Sequence, residues 1–144
     1  MPQLTLALAE RIADAALARG RAMNLLPMTA AVLDTAGALL VLKREETASL
    51  GRPGIAQGKA FGCLCMGLGG RALVRRAEKL PQLFNALSDQ HQGRVVPILG
   101  GALVRDASGA LVGAAGVTGD TPENDEICVV AGIQAAGLTA DLGD

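Results

Sequence analysis

Four carboxylates crowd the place where an apolar run ends. In GVTGDTPENDE, Gly116 to Glu126, the residues Asp120, Glu123, Asp125 and Glu126 follow the small, apolar LVGAAGVTG. Carboxylates pressed together raise one another's pKa and become able to move protons, which makes Asp120, Glu123 and Asp125 candidate bases. The same pattern also reads as a helix start. Thr121 suits the N-cap and Pro122 the first helical position, with Glu123, Asp125 and Glu126 in the turn where the helix dipole is positive. Capping does not explain the approach through Gly116 and Gly119. A strand leaving through Gly-x-x-Gly onto a helix N-terminus presents free N–H groups, an arrangement that binds anions. Thr118, Gly119 and Thr121 are therefore candidate ligand-contacting residues, and the capping and binding readings both stand.

Two further residues carry chemistry. Lys59 interrupts the otherwise uncharged IAQGKAFGCLCMG. It either extends its stem over apolar surface to reach water, or points into a pocket to pair with a carboxylate or receive an anion. His91, in SDQHQG, is the only histidine. It is either a solvated loop residue or the one imidazole available as a metal or haem ligand or a base near neutral pH. Cys63 and Cys65, two apart on a helix, point about 200° from each other and do not share an ion. Cys-x-x-Cys spacing is missing and Cys128 stands alone, so buried thiols and no metal site are expected. No Ser–His–Asp order, phosphate-binding Gly-x-x-x-x-Gly-Lys loop, Gly-x-Gly-x-x-Gly fingerprint or His-x-x-x-His pair occurs, which excludes the enzyme classes that depend on them.

These residues must be positioned by a single domain of 144 residues, 50% hydrophobic and 19% charged. There is no Trp or Tyr, and only Phe61 and Phe84 are aromatic. A core of Ala, Val, Leu and Gly lets elements approach closely. Net charge is −1, and without aromatic platforms for base stacking nucleic acid is not an expected partner. The charge is unevenly spread. Lys43 to Lys79 holds eight bases against three acids, and Gly116 to Asp144 holds six acids and no base. That is either two solvated faces or complementarity, within the chain or between subunits. No run approaches the ~18 uncharged apolar residues of a membrane span. The N-terminal MPQLTLALAERIADAALARG is broken by Glu10, Arg11 and Asp14 and lacks the pattern of a signal peptide. With an odd cysteine count, a reduced, cytoplasmic protein is the expectation.

Periodicity supplies the elements. Leu4, Leu8, Ile12, Ala15 and Ala16 predict a helix from Thr5 to Arg19, ended by Gly20. Met28 to Asp34 and Ala38 to Arg44 predict a hairpin about Thr35-Ala36-Gly37. Helices follow at Ile55 to Gly67, Arg71 to Glu78 and Pro81 to Ser88. Arg94 to Ile98 reads as a short edge strand because of Pro97. A second hairpin joins Ala102 to Asp106 with Leu111 to Thr118, and a last helix runs from Pro122 to Gly137. Hairpins separated by helices predict an α+β domain of about five antiparallel strands flanked by helices.

Taken in order, Leu33-Asp34, Gly37, Lys59-Ala60, Gly100-Gly101, Gly116 to Gly119 and Thr121-Pro122 with Asp125-Glu126 resemble the GlcG/HbpS-type family, which includes the C-terminal domain of PduO. The resemblance covers roughly Leu4 to Leu138. It implies a profilin-like α-β-α domain, usually a homo-oligomer, in a family some of whose members bind haem. His91 matches none of the family's motifs. The function expected is binding of haem or another carboxylate-bearing small molecule between the Lys59 helix and the Gly116–Thr121 bend. The alternative is an acid–base isomerase or lyase acting on a small organic acid in a catabolic pathway, with Lys59 as electrostatic partner of the carboxylates.

Overall fold

The computed structural model describes residues 3–144. Helix α1 (Leu6–Ala22) begins where the Thr5 hydroxyl accepts the Leu8 N–H at 3.1 Å. It runs through Gly20 rather than stopping there. A side chain at Gly20 would strike the Met28 sulfur, so this glycine serves close packing and not termination. Strands β1 (Thr29–Leu33) and β2 (Leu39–Arg44) form the first hairpin. Its turn is closed by Asp34, whose carboxylate accepts the N–H groups of Ala36 and Ala38 at 2.9 and 3.0 Å.

Three helices follow: α2 (Arg52–Met66), α3 (Gly70–Lys79) and α4 (Pro81–Gln90). Strands β3 (Gly101–Arg105) and β4 (Leu111–Thr118), helix α5 (Pro122–Ala135) and strand β5 (Thr139–Asp141) complete the chain. The strands form one antiparallel sheet in the order β2-β1-β4-β3-β5. Helices α1 and α5 cover one face over Ile12, Met28, Val32, Val104, Val129 and Ile133. On the other, Leu33, Ala60, Cys63, Leu73, Phe84 and Leu103 form the core beneath α2, α3 and α4. This is the α+β, profilin-like arrangement that the element order and the family resemblance imply.

One expected strand is absent. Arg94 to Ile98 is irregular, and it is fastened to α2 by the Val96 N–H, which bonds the Gly58 carbonyl at 3.1 Å. Pro97 has no N–H to give a ladder. The fifth strand is β5, which pairs with β3 along Leu103 to Arg105. At three residues it is too short to show a period of two.

Candidate functional site at helix α2

Glycine sets the distance between α2 and the sheet. Gly116 lies beneath α2, and a side chain there would run into the Ala56 carbonyl. Backbone therefore meets backbone, and Lys59, one turn beyond Ala56, is carried over the end of β4. Its ammonium lies 2.9 Å from Asp125 Oδ2 and donates to the Val117 carbonyl at 3.0 Å. Both side chains are 2% exposed. The other Asp125 oxygen accepts the Asp120 N–H at 2.9 Å, so one carboxylate binds both the lysine and the bend. Gly100, at φ +120°, closes the enclosure, since a Cβ there would come within 2.8 Å of the ammonium.

Burial pushes Lys59 below its ordinary pKa and Asp125 above its own, and in each case the attraction of the partner opposes the shift. The pair is enclosed by protein, and the lysine charge is consumed inside the fold. It holds the strand-to-helix bend in place.

The remaining acids have structural partners or lie on the surface. Asp120 accepts the N–H groups of Leu26 and Thr121 at 3.0 and 2.9 Å and the Asn124 amide at 2.8 Å. The Asn124 bond, followed by those two backbone N–H groups, holds its carboxyl below the usual range. Thr121 caps α5, its hydroxyl accepting the Asn124 N–H at 3.2 Å. Glu126 receives the Arg71 guanidinium in a fork at 2.8 to 3.2 Å, while the same arginine reaches Asp144 at 2.7 Å. Glu123 is exposed in the first turn. The basic middle of the chain and its acidic end therefore complement each other within one subunit, through Lys59–Asp125, Arg71–Glu126 and Arg71–Asp144.

Thr118 and Gly119 are buried, and the Thr118 hydroxyl accepts Arg52 Nη1 at 2.8 Å. Arg52 escapes sequence reading, although its spacing of seven from Lys59 places both on one side of α2. Lys59, Thr118, Asp120 and Asp125 are thus brought together, and His91 is not with them. It ends α4, with its ring edge-on to Phe61 at 5.3 Å and its Nε2 3.6 Å from Cys65 Sγ. The Arg94 guanidinium stacks on the same Phe61 ring, 4.0 Å from its centre. Along the flank of α2 runs a cleft of about 400 Å³ lined by Gly51, Gly54, Ile55, Gly58, Arg94 and Val96, among others. Its size falls within the ~300–1,000 Å³ of small-molecule sites. A cleft of about 390 Å³ beside α5 contains Arg71, but that guanidinium is already committed to Glu126 and Asp144.

Residues 4–134 match the family described as haem degrading protein HbpS-like. The chain belongs to that HbpS-like family. It is 31% identical over 124 residues to an uncharacterized 15.0 kDa protein of Citrobacter freundii encoded in the dhaT-dhaS intergenic region, covering 86% of this chain and 85% of that one. Among solved structures, HbpS superposes with a TM-score of 0.79 at 27% identity, over 93% of this chain and 90% of the other. The crystallised PduOC:heme complex superposes at 0.84 over 99% of this chain and all of that one, and the identity of 23% makes this a likeness of fold. ORFY of Klebsiella pneumoniae, a DUF336 protein, superposes at 0.83 and 24% identity, over 95% and 93% of the two chains.

Proposed function

We propose that this HbpS-like protein binds a carboxylate-bearing small molecule, with haem the leading candidate, in the cleft along α2. The observation that carries the reading is the contrast between two cations. Lys59 is enclosed and paired with Asp125, whereas Arg94 lines an open cleft with no acid beside it, its guanidinium resting on the Phe61 ring and the Gly37 carbonyl at 3.4 Å, and Gly51 and Gly54 leave the opposite wall bare of side chains. A flat apolar ligand needs a wall without projecting side chains, and its carboxylate needs a cation not already paired with an acid. The site thus shifts from the interior between Lys59 and the bend to the outer flank of the same helix. Lys59, Thr118, Gly119 and Thr121 shape that helix and bend from behind.

Haem fits the residues present. Ile55 and Val96 supply apolar contact and Arg94 a partner for a propionate. His91, the chain's one imidazole, sits against Phe61 and Cys65 outside the lining and would have to turn from them to meet iron. Bound haem would bring redox chemistry, while the chain's own groups bind and orient. The family's description as haem-degrading supports the reading. Further expectations are that the protein works as a homo-oligomer and in the cytoplasm. No helix among the described residues is long and apolar enough to cross a membrane.

Titrating haemin into purified protein tests the proposal. A shifted Soret band saturating at one haem per chain, weakened in Arg94→Gln and altered in shape in His91→Ala, is the expected result. No shifted band in the wild type removes haem as the ligand.

The acid–base enzyme keeps one observation in its favour, the opposed pKa shifts of Lys59 and Asp125, which bring their proton affinities together. The enclosure of that pair favours the binding reading over it.

A further inference from the structure

Helix α3 divides its residues between two faces. Gly70, Leu73 and Ala77 turn toward the core, while Ala72, Arg75, Arg76 and Lys79, at helical spacing, share the outer one. Together with Leu68, those four line a hollow of about 220 Å³. Cations at this spacing repel one another. Among the described residues none of the three forms an ion pair, not even with Glu78, the one acid of α3. The acids nearest in the fold, Glu126 and Asp144, are taken by Arg71. Arg75 is anchored at the rim, where its Nη2 donates to the Gly143 carbonyl and its other N–H groups stay free. A place in the last turn suits Arg76 and Lys79 to the helix dipole. The dipole explains neither Arg75 nor the empty space that the three enclose.

We propose that this hollow binds the phosphate group of a small soluble molecule, a phosphomonoester or a diphosphate. One carboxylate is satisfied by one guanidinium, whereas three cations around one space suit a dianion with three or more acceptor oxygens. The guanidinium forks of Arg75 and Arg76 each take a pair of phosphate oxygens, and Lys79 adds a compact charge. Ala72 keeps the floor low, so the group can sit down between them. The space falls below the ~300 Å³ at which pockets for whole small molecules begin, so the phosphate enters and the rest of the ligand stays outside. The hollow shares no lining residue with the cleft along α2, and the inference does not depend on haem binding.

Isothermal titration calorimetry of the full chain with inorganic pyrophosphate, at low ionic strength, is the test. The expected result is saturable binding at one site per chain that weakens as salt is added. Arg76→Gln and Lys79→Gln each lower the affinity about tenfold. Both side chains are exposed, so the variants keep the fold, as an unchanged melting temperature would show. Arg11→Gln removes an exposed cation from α1 and leaves the affinity as it was. Succinate, which carries two carboxylates, binds more weakly than pyrophosphate. No saturable heat with pyrophosphate overturns the proposal. So does an equal loss in Arg11→Gln, which would mean diffuse attraction to the whole surface. Association with phosphatidylcholine vesicles containing phosphatidic acid, without binding of pyrophosphate, overturns it in favour of a membrane surface.

Discussion

Lys59 and Asp125, 66 positions apart in sequence, meet at 2.9 Å with both side chains shut away from water. Each group fits its place only because the other is there. A buried pair contributes little over apolar side chains of the same shape, but removing one member strands the other. Asp125→Asn and Lys59→Met should each cost about 3–5 kcal/mol of unfolding free energy. The double variant should lose much less than the sum. Urea denaturation of all four proteins reads the coupling directly, and strictly additive losses would dismiss the pair as a unit.

Thr29, across the β1–β4 ladder from Thr118, is fully buried, and its hydroxyl has no hydrogen-bond partner among the described residues. A buried polar group without a partner costs roughly 1–3 kcal/mol. Thr29→Val keeps the branched shape and suits a strand. It should therefore raise the melting temperature, as differential scanning calorimetry would show; a lower value would mean that the hydroxyl is in use.

Acid sensitivity should come from the turn carboxylates. The Ser108 hydroxyl, with backbone N–H groups, holds the Asp106 carboxyl below its ordinary value, as the Asn124 bond does for Asp120. A carboxylate lowered by folding gives stability that is complete above the unfolded pKa of 3.8 and lost as pH falls through the folded value. Melting temperature should thus drop steeply below about pH 4. Asp106→Asn and Asp120→Asn should each flatten that drop while lowering stability near neutrality. An unchanged acid slope in both would place the sensitivity elsewhere.

How much of this is written in the chain depends on the range of the interaction. Local signals read well: Thr121 as a cap and the two hairpins follow from neighbours a few residues apart. Gly20 misleads because the same residue type ends helices and permits close contact, and only the distant Met28 decides which. Arg94 to Ile98 is apolar enough for a strand but bonds α2 instead, while β5 is too short to announce itself. At the site, the capping acids and the meeting of Lys59 with the bend were legible. That Asp125 consumes the lysine charge, that Arg52 reaches Thr118, and that His91 faces Cys65 were not. These contacts join residues 26 or more positions apart, beyond the reach of any spacing rule.

The functional account rests on the cleft along α2. Gly54 lines it and has open space where a side chain would stand, so Gly54→Phe fills the cleft and leaves the core alone. Exchanging a helical glycine also favours the helix. Haemin titration of wild type and Gly54→Phe, followed at the Soret band alongside melting temperature, is the direct measurement. The account predicts a saturable shift in the wild type and at least a tenfold loss of affinity in a variant that melts no lower. Equal binding by the two proteins would contradict it.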